Sequence, residues 1–142
     1  MKKRVGLIGL GNIGSYFTKQ LLNAGYPLTV LDLVEEKVKS AVEQGAKAAS
    51  TPAELTDESD LILLSLPGSP AVEKVMDGQD GILSRIRKGQ LVIDTGTSRP
   101  ATDIKYEKLC AEKGAGFLDA PITWRQAGLT IMVGGKAEHF EQ

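Results

Sequence analysis

An apolar run, Val5-Gly6-Leu7-Ile8, opens directly into three glycines spaced as Gly9-x-Gly11-x-x-Gly14, and from within them Ile13, Phe17 and Leu21 recur every fourth residue. The run reads as a buried strand and the recurrence as one face of a helix. A chain in this order is committed to a strand, a tight bend and a helix packed back on the strand. Gly9 permits the bend, Gly11 leaves its outer side without a Cβ, and Gly14 lets helix and strand approach closely. The first amides of the helix then face whatever fills the bend, and they favour an anion.

A second apolar run, Pro27 to Asp32, ends in a carboxylate close to the roughly 20-residue offset at which an acid meets the adenosine ribose of a dinucleotide. Taken singly, each signal has a plainer meaning, the glycines as tight loops and Asp32 as a solvated strand end. Their order along the chain selects the dinucleotide reading, with Gly9, Leu10, Gly11, Asn12, Ile13, Gly14 and Asp32 as cofactor-binding candidates. A carboxylate at Asp32 repels a 2′-phosphate, and Leu33-Val34-Glu35-Glu36 supplies no arginine to offset it. NAD is therefore expected rather than NADP. An ATP-type phosphate loop is excluded, because GxxxxGK[ST] does not occur.

The rest of the chain alternates in the same way. Arg4 to Ile8, Pro27 to Asp32, Asp60 to Leu66, Gln90 to Asp94, Gly116 to Asp119 and Leu129 to Val133 are short runs rich in Val, Ile and Leu. They read as strands of a parallel sheet covered on both faces. Val34, Val38, Ala41 and Val42 form a second helical stripe ending at Gly45. Thr51-Pro52-Ala53-Glu54 has the form of a capped helix start, and Pro100 opens a helix running towards Gly114. Strand and helix in alternation predict an α/β doubly wound parallel sheet, a Rossmann-type dinucleotide-binding domain spanning residues 1–142.

Composition removes other classes. Lys plus Arg at 17 and Asp plus Glu at 18 give a net charge of −1, which offers no basic field for nucleic acid or an anionic membrane surface. Cys110 and His139 stand alone among their kinds, so an internal disulfide and a Cys/His metal centre are excluded, and a reducing compartment is implied. Met1-Lys2-Lys3-Arg4 and the apolar residues after it imitate a secretory signal, but Gly6, Gly9, Gly11 and Gly14 interrupt the stretch. No run approaches the roughly 20 apolar residues of a membrane span. A cytoplasmic location is expected.

In an open parallel sheet the ligand lies beyond the carboxyl ends of the strands. Three segments there carry unusual sequences: Leu66-Pro67-Gly68-Ser69-Pro70, Asp94-Thr95-Gly96-Thr97-Ser98-Arg99-Pro100 and Asp119-Ala120-Pro121-Ile122-Thr123-Trp124-Arg125. Each alone is ordinary turn chemistry. Leu66-Pro67 with Val72, Asp94 to Pro100 and Asp119-Ala120-Pro121, together with Gly6 to Gly14, Ala24-Gly25-Tyr26, Gly45-Ala46 with Thr51-Pro52-Ala53-Glu54, and Ile131-Met132-Val133-Gly134-Gly135, make the chain resemble, over essentially its whole length, the N-terminal domain of the β-hydroxyacid dehydrogenases. That is the family of 3-hydroxyisobutyrate dehydrogenase, tartronate semialdehyde reductase and, more distantly, 6-phosphogluconate dehydrogenase. The resemblance implies that Asn12 and Ile13 touch the pyrophosphate through their backbone, that Leu66 and Pro67 pack on the adenosine half, and that Thr97 lies near the nicotinamide. It implies hydride transfer between the cofactor and a small 3-hydroxy acid or its semialdehyde.

The sequence also departs from that family. Gly96 stands where a hydroxyl residue is usual, and the substrate loop Asp-Ala-Pro-Val-Ser-Gly-Gly reads Asp119-Ala120-Pro121-Ile122-Thr123-Trp124-Arg125. Thr123 keeps a hydroxyl. Trp124 and Arg125 either wall the pocket and grip a carboxylate or face a second domain. The family's general-acid lysine lies on a later glycine-rich helix, so no catalytic residue is expected within residues 1–142. Lys136 and His139 read as exposed helix-start residues. A helical substrate and dimerisation domain is expected beyond Gln142, and assembly into a homo-oligomer would draw on it. Two other classes stay open: a stand-alone NAD-sensing regulatory domain and a catalytically inactive relic.

Overall fold

A computed structural model describes residues 1–125 and 128–142; the side chains of Trp124 and Arg125 lie outside the described part. Six parallel strands form one sheet: β1 Val5–Ile8, β2 Leu28–Leu31, β3 Lys47–Ala48, β4 Leu61–Leu64, β5 Leu91–Asp94 and β6 Gly116–Asp119. Their order is β3-β2-β1-β4-β5-β6. Helices α1 Asn12–Asn23, α2 Glu35–Glu43, α3 Pro52–Asp57, α4 Ser69–Met76 and α5 Pro100–Glu112 make the crossovers. The chain runs outward from β1 on one side, then returns to β4 and runs outward on the other. A crevice must therefore open between the carboxyl ends of β1 and β4, where the direction reverses.

Burial on both faces explains the unbroken apolar runs. One core contains Ile8, Leu55, Ile62, Leu64, Val72, Met76, Ile82, Val92, Tyr106 and Phe117, and the other Val5, Leu7, Leu10, Leu28, Val30 and Ala41. Two buried polar side chains fasten neighbouring elements. The Gln90 side chain donates to the carbonyls of Thr56 and Ser59, both at 2.7 Å, and accepts from the Arg87 amide at 2.8 Å, joining α3 to the entry of β5. The Tyr106 hydroxyl donates to Asp77 at 2.9 Å and fastens α5 to the end of α4. Cys110 is fully buried, and burial pushes its thiol up to about 12. It should stay unmodified by a thiol-reactive chromophore at pH 8 until denaturant is added; labelling of the native protein would contradict the packing.

Local sequence sets several boundaries. Thr51 accepts from the Glu54 amide at 3.1 Å while Glu54 reaches back to the Ser50 amide at 2.7 Å, closing the cap expected at α3. Gly45 and Gly114 follow α2 and α5 with φ of +115° and +72°, conformations that favour glycine.

Three expectations are corrected. The run Leu129 to Val133 does not join the parallel sheet; β8 Gly128–Ile131 pairs antiparallel with β7 Ile122–Arg125 in a separate two-stranded sheet. Only Ala120 and Pro121 separate β6 from β7, too few residues for the dozen or more that a parallel crossover needs. The sixth parallel strand is instead the two-residue β3, too short to leave a periodic signal. In α2 only Val38 and Ala41 face the core, whereas Val34 lies at the N-cap and Val42 is exposed. Finally, α6 Ala137–Phe140 places the His139 ring against Gly116, so His139 is mostly covered rather than exposed. Lys136 is exposed, as expected.

Candidate functional site

The bend from Gly9 to Gly14 lies at the carboxyl end of β1, beside the exit of β4. Gly9 has φ +97°, and a Cβ there would sit 2.0 Å from the Ser65 carbonyl oxygen. A Cβ on Gly14 would sit 1.9 Å from the carbonyl oxygen of Gly9. Both positions are closed by backbone. Gly11 is the opposite: a Cβ there would meet nothing within 4 Å. The middle glycine thus faces open space while its two companions hold the bend tightly against β4 and α1. No side chain caps α1 at Gly11, so its first-turn amides remain available to an anion.

Asp32, half-buried at the end of β2, points into the same bend. Its Oδ2 accepts from the Leu10 amide at 2.6 Å and its Oδ1 from the Val34 amide at 2.8 Å. A carboxylate offers about four lone-pair positions, so two remain for further donors. Beside it Leu33 is 92% exposed, an apolar side chain held in water next to the acid. Leu33 belongs to no motif; its only sequence signal is the apolar pair Leu33-Val34 set between Asp32 and Glu35-Glu36.

The opposite wall comes from the later strands. Leu66 is half-buried and Pro67 exposed at the exit of β4. Thr95 donates through both its amide and its hydroxyl to the Leu64 carbonyl. A Cβ on Gly96 would lie 2.5 Å from the Leu66 carbonyl oxygen. Gly96 therefore replaces the usual hydroxyl residue where two loops touch backbone to backbone. The Arg99 amide donates to Ser69 at 2.8 Å, which ties this turn to the start of α4, and Thr97 is left exposed at its tip. Thr123 is half-buried on β7, with Thr130 opposite it. Trp124 and Arg125 stand opposite Leu129 and Gly128 in the hairpin register, but their expected roles in a substrate pocket concern side chains outside the described part. Among the described residues no cluster of His, Cys, Asp or Glu is arranged to hold a metal ion, and no helix is long and apolar enough to cross a membrane.

A sheet in this order, with a bare glycine bend at its point of reversal, defines a Rossmann-type dinucleotide-binding domain. The family profile for the NAD binding domain of 6-phosphogluconate dehydrogenase matches residues 4–142, and the chain belongs to that family. Within it the chain resembles the 3-hydroxyisobutyrate dehydrogenases. It is 39% identical over 144 residues to the mitochondrial 3-hydroxyisobutyrate dehydrogenase of Mus musculus, covering 98% of this chain and 43% of that protein. It is 38% identical to the NAD-dependent L-serine dehydrogenase of Pseudomonas aeruginosa, covering 99% of this chain and 49% of that one. The solved structure of Psf3 in complex with NADP+ and 2-OPP superposes with a TM-score of 0.89 at 29% identity, over 96% of this chain and 50% of the other. The chain therefore spans about half the length of the relatives it matches, and the similar proteins include users of both NAD and NADP.

Proposed function

We propose that the domain binds NAD, in preference to NADP, as the cofactor half of an oxidoreductase that interconverts a small 3-hydroxy acid and its semialdehyde. The observation that carries the reading is the contrast at the bend, open at Gly11 and closed at Gly9 and Gly14. It leaves room for linked phosphates where the amides of Asn12 and Ile13 can receive them. Asp32 is held by two backbone amides in position to accept from the ribose hydroxyls, and its charge opposes a phosphate on the 2′-oxygen. Leu33 offers an apolar surface to adenine, Leu66 and Pro67 line the adenosine side, and Thr97 stands towards the nicotinamide. The bound nicotinamide supplies a hydride acceptor or donor.

The substrate class rests on chemistry shared by relatives. The 3-hydroxyisobutyrate and L-serine in their names each carry a hydroxymethyl group on the carbon next to a carboxylate. Thr123, Trp124 and Arg125 are the proposed substrate-facing residues. The general acid is a lysine beyond Gln142, and the cytoplasm is the proposed location.

Calorimetric titration of the purified domain with NADH and NADPH tests the cofactor assignment. NADH should bind at least about tenfold more tightly, a difference of about 1.4 kcal/mol. Equal affinities, or tighter binding of NADPH, would remove the ribose argument.

A further inference from the structure

We propose that Asp103 is a positioning residue that shares one proton with Asp94, and that this carboxyl pair holds the turn 95–99 in the shape that presents Thr97 to the crevice. The role of Thr97 rests on the dinucleotide reading; the proton-sharing pair does not.

Asp94 ends β5 and is wholly buried. Its Oδ1 accepts from the Gly96 amide at 3.0 Å and its Oδ2 from the Ser98 hydroxyl at 2.6 Å, so this one carboxylate shapes both flanks of Thr97. Asp103, in the first turn of α5, lies close enough to Asp94 for the two carboxyl groups to act on each other. Asp103 is 7% exposed, and its Oδ1 is buried without any donor to receive. An ionised Asp103 would leave that atom unsatisfied and set two negative charges side by side. A protonated Asp103 removes both faults, because its O–H donates to Asp94 and makes a strong carboxylic acid–carboxylate bond.

The surrounding charges agree. Asp94 from β5 and Asp119 from β6 are the charged groups that act on Asp103, and both are acidic. Burial holds Asp119 above its ordinary range too, with Asp94 adding to the effect. On α5 itself, Lys105 is engaged with Asp77 at the end of α4, while the Arg99 side chain is exposed.

Burial and the two neighbouring carboxylates push Asp103 up to about 7. An unfolded aspartate releases its proton near pH 4. The folded chain therefore holds a proton that the unfolded chain has lost, and stability falls as pH rises from about 4 to about 7, then levels. Above that range the pair is doubly charged and the turn loosens.

The test compares the protein with Asp103→Asn, whose amide can donate to Asp94 at every pH. From pH 4.5 to 8.5 the melting temperature of the unmodified protein should drop by several degrees relative to the variant, and acids remote from Asp94, Asp103 and Asp119 cancel in that difference. The protection factor of the Gly96 amide should fall severalfold over the same range only in the unmodified protein. Carboxyl-carbon NMR of the unmodified protein, which needs no variant, should show Asp103 titrating far above the ordinary aspartate range. Parallel melting curves, an ordinary Asp103 titration, or unchanged Gly96 protection would overturn the proposal. NAD affinity should weaken across this range in the unmodified protein and stay level in the variant. If neither protein binds NAD at any pH, the dinucleotide reading fails, and melting, exchange and NMR still decide the carboxyl pair.

Discussion

Gly11→Ala should leave the free domain as stable as before and remove its affinity for NADH. The backbone at Gly11 has φ −67° and ψ −163°, which alanine adopts without strain, and the new methyl group would meet nothing within 4 Å. Reduced freedom of the unfolded chain makes a compatible glycine-to-alanine change neutral or stabilising by up to about 1 kcal/mol. The space that receives the methyl is the space assigned to the pyrophosphate, so NADH affinity should fall by roughly a hundredfold or more, about 3 kcal/mol. Gly14→Ala provides the contrast. Its Cβ would lie 1.9 Å and 2.8 Å from the carbonyl oxygen and carbon of Gly9, and a backbone neighbour cannot swing aside. Forcing the helix off the bend should cost about 2–4 kcal/mol, and the melting temperature of the free domain should drop by roughly 10 °C. Melting curves and calorimetric titrations of both variants separate a ligand contact from a packing contact. Tight NADH binding by Gly11→Ala would show that the open side of the bend is not where the phosphates lie.

The same contrast explains how much was legible beforehand. GxGxxG assigns a role to each glycine because the roles are set by backbone spacing, which sequence position carries directly. Parallel strands are legible because burial on both faces removes polar residues from runs such as Leu61 to Leu64. The hairpin after β6 was hidden for the converse reason. Ile131 and Met132 are apolar yet exposed, so their hydrophobicity imitates a core strand that burial does not support. Asp103 was hidden as well, since nothing local distinguishes a buried helical aspartate from a solvated one. Its environment is assembled from β5 and β6, and only the fold brings Asp94 and Asp119 to it. Gly96 looked like the loss of a hydroxyl; its position against the Leu66 carbonyl gives it a packing role that the motif comparison lacks. Signals carried along one segment survive in the sequence, while signals created between segments appear only with the structure.

Asp32 joins both kinds of signal, and removing its carboxylate should change cofactor choice more than any other single side-chain truncation at the bend. Its two oxygens already hold the Leu10 and Val34 amides, so the acid is oriented before any nucleotide arrives. A fixed negative charge about 4 Å from a 2′-phosphate would cost up to about 4 kcal/mol at an effective dielectric constant near 20, with mobile ions reducing that figure. Ribose hydroxyls, by contrast, gain charge-assisted hydrogen bonds from the same group. Asp32→Ala should therefore weaken NADH about tenfold or more while NADPH holds or improves, so that the ratio of their dissociation constants narrows by one to two orders of magnitude, about 1.4–2.8 kcal/mol. The free variant should also lose about 1–2 kcal/mol of stability, because the Leu10 and Val34 amides lose a charged acceptor. Asp32→Asn is a weaker repair: its single carbonyl oxygen can replace one of the two accepting positions, and its amide nitrogen faces another donor. Measured by titration with both reduced cofactors, an unchanged NADH to NADPH ratio in Asp32→Ala would mean that the acid serves the bend alone, and the preference for the unphosphorylated ribose would need another source.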